Sequence, residues 1–143
     1  MAKSVLYNIY SDLVTAVNPV VGAKYVFLKD RPNVKDDETP MAKFVVIDIP
    51  TTIRDYVIGE SKTMLQASGI LHVFVGARSN NTLNLNAMGD IVDSLVELFP
   101  IKGNYAVATN PRVLMRGADG EGFQVTTITF DLRCRWGAFN SKS

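Results

Sequence analysis

The chain has one histidine and one cysteine, so no zinc ligand set can be assembled, and a Ser/His/Asp triad could be completed only through His72. His72 sits inside Ile70-Leu71-His72-Val73-Phe74-Val75, an apolar strand-like run in which a histidine satisfied by a neighbour is the first reading. The catalytic alternative pairs His72 with Asp48 as acid and base, and requires a concave apolar pocket around them. Cys134 cannot form an internal disulfide and falls at an apolar strand position, where it reads as a small buried hydrophobe. The acidic run Asp36-Asp37-Glu38 is the best candidate for a hard cation, but it lacks the alternating spacing and turn glycine of a calcium loop. Gly117, Gly120 and Gly122 stand between two strand-like segments with no helix or lysine after them, so they read as turn residues rather than a phosphate cradle. These residues predict no catalytic, metal or cofactor site and no enzyme activity.

The basic side chains pose a second question. Arg112, Arg116, Arg133 and Arg135 fall on two neighbouring segments near the C-terminus, and such a row could touch nucleic acid. Asp119, Glu121 and Asp131 are interleaved with them, and no aromatic is placed among the exposed positions to stack a base. A formal charge of +1 argues against a chain whose main task is neutralising a phosphate backbone. A nucleic-acid-binding domain is therefore the weakest alternative, whereas a pore lined by these arginines and crossed transiently by DNA would need only weak contacts and is compatible with this pattern. With 143 residues, 47% of them apolar and 20% charged, the chain is expected to be one globular domain, residues 1–143, with a continuous core. Met1-Ala2-Lys3 leads into an amphipathic segment, which does not suit a secretory signal, and no window is apolar enough to span a bilayer.

The elements that must hold these residues follow from their periods. Phe123 to Trp136 is the clearest: Ile128, Phe130, Leu132, Cys134 and Trp136 alternate with Thr127, Thr129, Asp131, Arg133 and Arg135. A strand sends successive side chains to opposite faces, so one face is apolar and the other polar. Val5, Leu6, Ile9, Leu13 and Val17 recur at helical spacing after a candidate cap at Ser4, and Asn18-Pro19 marks the stop. Tyr25 to Leu28 is a short strand, and the charged, proline-containing residues 30–43 form an extended loop. Lys43 to Ile58 is strand-like, with an edge, bulge or bend at Pro50, and Met64 to Ala77 is a second long strand with a bend at Gly69. Together they make a long hairpin whose distal part, residues 53–66, projects as an arm. Leu85, Met88, Ile91, Val92, Leu95 and Phe99 form a second helical stripe, capped by Asn84 or Asn86 and closed by Pro100. A weaker strand, Ala106 to Met115, is broken at Asn110-Pro111. The predicted class is α+β: two helices packed on one face of a mostly antiparallel β-sheet with a long protruding β-hairpin.

This order of elements, helix (Val5 to Val17), strand (Tyr25 to Leu28), long hairpin (Phe44 to Ala77), helix (Leu85 to Phe99) and C-terminal hairpin (Ala106 to Trp136), resembles the tail terminator and neck (head-tail connector) proteins of tailed bacteriophages. The resemblance covers almost the whole chain and is one of architecture and length, without a short diagnostic motif. It implies a structural virion protein assembled in the bacterial host cytoplasm, forming a homo-oligomeric ring (hexamer or dodecamer) around the DNA channel. Its partners would be adjacent neck, portal or tail proteins, with DNA passing transiently and no membrane involved. Intersubunit contacts are then expected from Arg31, Lys35, Asp37, Arg54, Tyr56, Glu60 and Lys62, and a channel-facing row from Arg112, Arg116, Arg133 and Arg135. The alternative is a small-ligand-binding protein or enzyme of α+β type centred on His72.

Overall fold

The computed structural model describes residues 5–28, 43–49, 54–58, 62–76, 83–119 and 122–134. Two helices, α1 (Val5–Val21) and α2 (Leu85–Val96), accompany seven strands. The strands are β1 (Val26–Leu28), β2 (Lys43–Asp48), β3 (Arg54–Ile58), β4 (Lys62–Gly76), β5 (Ile101–Lys102), β6 (Ala106–Ala118) and β7 (Phe123–Cys134). They form one mixed sheet in the order β1-β2-β4-β7-β6-β5, with β3 also paired to β4. Among the described strands only β1 with β2 is parallel; the other pairings are antiparallel. The chain is thus α+β.

The alternation read in the last strand holds for its apolar side from Ile128 to Leu132; Arg135, Trp136 and the side chain of Cys134 lie outside the described residues. Ile128, Phe130 and Leu132 are fully buried, and they join Val45, Ile47, Leu71, Val73 and Val75 in the main core. By register these residues share one sheet face, and the same core takes Ile9, Leu13, Val17 and Val21 from α1 and Met88, Ile91, Val92 and Leu95 from α2. Each helix stripe is the set of positions that a 3.6-residue period brings to one side.

The long hairpin is present, with β4 facing β2 through Ile70 to Val75 and β3 through Lys62 to Gln66. The expected edge, bulge or bend at Pro50 lies outside the described residues, between β2 and β3. Four expectations are corrected. The first helix does not stop at Pro19: it runs through that residue to Val21, because Val21 is itself a core residue. Gly22 ends it, with φ 95° and its N–H donating to Asn18 O at 2.7 Å. The second helix ends at Val96 rather than Phe99, and Asn84 is its cap, accepting from Ala87 N at 3.4 Å. Gly69 is no bend, since β4 is continuous through it. It lies directly opposite Phe130, whose ring occupies the space a Cβ would need. Asn110-Pro111 does not break β6 but forms a bulge: β6 advances from Thr109 to Arg112 while β7 moves from Asp131 to Thr129.

Cross-links distant in sequence fix the helix layer to the sheet. Asp12 Oδ2 accepts from Tyr105 N at 2.7 Å and Ala106 N at 2.9 Å, holding the β5–β6 turn to α1. Gly103 in that turn lies so close to the Asp12 carboxyl that no side chain would fit between them. Tyr10 Oη accepts from Ile49 N at 3.2 Å, just beyond the end of β2.

Candidate interaction surface

The sheet face opposite the helix-lined core is where the candidate residues meet. Register sets them out in rows across β2, β4, β7 and β6. One row is Asp48, Ile70, Thr129 and Arg112; the next is Val46, His72, Thr127 and Leu114; a third is Phe44, Phe74, Val125 and Gly117.

The third row and its surroundings correct the expectation that this face is uniformly polar. Phe44, Val46, Phe74 and Phe123 form a second buried cluster, with Tyr25, Phe27 and Val125 packed against it. Phe44 is the hub: its ring stacks on Phe74 at 4.5 Å, meets Phe123 edge-on at 5.1 Å and Phe27 at 5.9 Å. Thr127 is buried as well, and its hydroxyl donates to Leu114 O at 3.3 Å. The signal for this cluster is the uninterrupted run Phe44-Val45-Val46-Ile47, since a strand buried on both faces loses its alternation. Both faces of β2 are indeed buried.

The first row carries the charge. The bulge at Asn110, which takes up the left-handed φ of 59°, adds one residue to β6 and so brings Arg112 to the face of Asp131 instead of the core side. Arg112 Nη2 then donates to Asp131 Oδ1 at 3.2 Å and Arg112 Nη1 to Asn110 O at 3.1 Å. Asn110 Nδ2 completes the network by donating to Asp131 Oδ2 at 3.2 Å. The hydrogen bonds from Asn110 and Arg112, with the nearby charge of Arg133, hold the Asp131 carboxyl below its usual range. Arg112, Arg116 and Arg133 are all exposed. Arg112 is thus partly neutralised, leaving Arg116 and Arg133 at the two ends of the face.

His72 lies between these zones, half-buried. Burial pushes its pKa below the ordinary imidazole range; the Asp48 carboxylate pulls it upward and the Arg116 guanidinium adds to the depression. The neutral imidazole is the favoured form here. Asp48 and His72 stand one row apart on adjacent strands, close enough to influence one another through their charges.

Other candidates are distributed elsewhere. Arg54 and Tyr56 belong to β3, and Lys62 is the first residue of β4, opposite Ile58. Arg31, Lys35, Asp36, Asp37, Glu38, Glu60 and Arg135, the cap residue Ser4 and the side chain of Cys134 lie outside the described residues. Of the turn glycines, Gly117 is in β6 and Gly122 begins the return to β7, both with φ near 93–94°. Asp119 organises that turn, its N–H donating to Phe123 O and its Oδ1 accepting from Phe123 N. A depression of about 340 Å³ beside α1 is lined by Ser11, Asp12, Thr15, Lys102, Asn104 and Tyr105. Its carboxylate is already engaged by two backbone amides, so Asp12 acts there as a structural clamp. Among the described residues no group of His, Cys, Asp or Glu could hold a metal ion, and no helix is long and apolar enough to cross a membrane.

A set of residues absent from the sequence reading adjoins this face. Val113, Leu114 and Met115 are large, apolar and about half exposed. Their signal was an unbroken apolar triplet between Arg112 and Arg116, which cannot alternate and so leaves apolar side chains on both faces.

No family model matches the chain, and no curated protein matches it by sequence. Solved structures do match. A chain from the virion of a native gene transfer agent particle aligns with a TM-score of 0.56 at 11% identity, covering 90% of this chain and 92% of that one. A second solved structure aligns with a TM-score of 0.58 at 11% identity, covering 92% of this chain and 94% of that one. At this identity the likeness is one of fold, and it extends over nearly the full length of each chain.

Proposed function

We propose that this chain is a virion structural protein of a phage-like particle, a ring-forming tail terminator or head-tail connector that acts by self-association and docking, without chemistry of its own. The observation that carries the reading is the end-to-end likeness of fold to a chain of a gene transfer agent virion. The sheet supplies a rigid body, and the β3–β4 hairpin, with residues 53–66 as a projecting arm and residues 30–43 as an extended loop, supplies the connectors that grip neighbours. Both helices pack on one side of the sheet, leaving the face of Arg112, Arg116 and Arg133 for the channel. DNA passing such a face meets isolated guanidiniums beside Asp131 rather than a continuous basic track, which suits transit better than retention. The ring is a hexamer or dodecamer assembled in the host cytoplasm, and adjacent neck, portal or tail proteins dock on it.

Deleting Tyr56 to Lys62 tests the assignment of the arm. Negative-stain imaging should show closed rings for the full chain and none for the deleted chain, which should keep its far-UV circular dichroism as a folded monomer. Unchanged rings after the deletion would remove the arm from the contact.

A further inference from the structure

Strand β6 pairs with β7 along most of its length, but on its other side β5 covers only Val107 and Ala108. From Asn110 onward no described strand lies beyond β6, so a row of backbone N–H and C=O groups faces outward. Natural edges are blunted by proline, bulges and charge. Here Pro111 and the first bulge stand at one end and a second bulge, between Met115 and Gly117, at the other, with Arg112 and Arg116 beside them. The three residues between these guards are Val113, Leu114 and Met115, with exposures of 49%, 52% and 54%. Val113 and Met115 lie opposite Ile128 and Thr126, on the side of α2. There they line a shallow apolar groove of about 80 Å³ with Leu85, Met88 and Val92. Thr126 forms part of its wall, fully buried, and its hydroxyl has no hydrogen-bond partner among the described residues.

An open edge beside an apolar groove fits an added strand whose inward side chains are apolar. Two copies of β6 pairing about a two-fold axis centred on Leu114 would set Arg112 of each copy opposite Arg116 of the other, and like charges in directly opposed positions are unfavourable. Among the described strands there is another open edge of similar length. β3, Arg54–Ile58, pairs with β4 alone among the described strands; its sequence holds one acid and one base and closes with the apolar Val57-Ile58.

We propose that a second copy of this chain adds its β3 edge to the open Arg112–Arg116 edge of β6, extending the sheet from one subunit into the next. Because the two edges are different surfaces of one chain, the contact is head-to-tail, and its repetition does not stop at a dimer but runs on from subunit to subunit, forming the ring of the reading above where the rotation between neighbours closes. The proposal rests on the ring reading and assigns its interface.

Two single-cysteine variants, each with Cys134→Ser, test it: one carries Met115→Cys and the other Val57→Cys. Mixed, assembled and oxidised, they should give a disulfide-linked dimer, while either variant alone gives little. The double substitution Val113→Lys with Met115→Lys should raise the concentration needed for assembly by about tenfold or more, with an unchanged far-UV spectrum. Rings that form normally with that double substitution and show no mixed cross-link would overturn the proposed interface while leaving the ring reading intact. A cross-link formed by Met115→Cys alone would also overturn it, by showing a two-fold β6 contact. A wild-type chain that forms no ring under any condition removes both the ring and its interface.

Discussion

Strands β7 and β6 are neighbours of similar length joined by antiparallel pairing, yet they have opposite characters. β7 lies between β4 and β6, and its Ile128, Phe130 and Leu132 are fully buried. β6 is buried only at Ala106 and Ala108, near the end where β5 pairs with Val107 and Ala108; from Asn110 to Arg116 it carries two bulges, a proline and three exposed apolar side chains. Position in the sheet, rather than strand formation, sets what each sequence may contain. A central strand must satisfy two neighbours and a core, so its period is strict; a border strand can spend its residues on contacts outside the chain.

Substitutions in the two strands should separate these roles. Phe130→Ala removes a ring that lies over Gly69 and against Phe99, and should cost about 3–5 kcal/mol in denaturant unfolding. Leu114→Ala in β6 should change stability by no more than about 0.5 kcal/mol, because half of that side chain is already in water. Equal costs at the two positions would show that the border strand is packed like the central one.

The next effect in size concerns the link from α1 to the β5–β6 turn. Asp12→Ala strands two backbone amides that now share one carboxylate oxygen, and a loss of about 3 kcal/mol is expected by thermal or denaturant unfolding. Hydrogen exchange should speed up first at Tyr105 and Ala106. A wild-type exchange pattern there would show that the turn holds without its clamp.

Smaller effects arise where charge is partly in water. His72 has a folded pKa below its unfolded value, so the unfolded chain takes up the proton first as pH falls. Its contribution is present above the unfolded value of about 6.5 and is lost as pH drops through the depressed folded pKa. His72→Gln should flatten the dependence of unfolding free energy on pH just below that value and leave ring formation unchanged. Loss of an enzymatic activity in that variant would instead favour a site centred on His72 and Asp48. Arg112→Ala should also be a mild change, below about 1 kcal/mol, because the pair with Asp131 is about half exposed on both sides.

Much of the architecture was readable from periods alone. The two helical stripes, the alternation of β7 and the long hairpin are local patterns, and each appears where its residues are spaced for it. The aromatic cluster was missed because Phe44, Phe74 and Phe123 come from three strands, and only their register brings them together. β5 is two residues long, too short to have a period, and the Asp12 clamp joins residues more than ninety positions apart. At Asn110-Pro111 the sequence showed an interruption without showing its kind. A bulge and a break use the same residues, and the difference lies in whether β7 continues alongside. The arginines were legible as a row, but the bulge that brings Arg112 to Asp131 decides how much of that charge is free.

The central claim, that this chain is a ring subunit, is tested most directly by its mass in solution. Light scattering across a wide range of concentrations, with negative-stain imaging of the heaviest species, should show one discrete oligomer whose mass is an integral multiple of the 15.7 kDa chain and whose images are closed rings with a central hole. A monomer mass at every concentration, with no ring in any image, would contradict it.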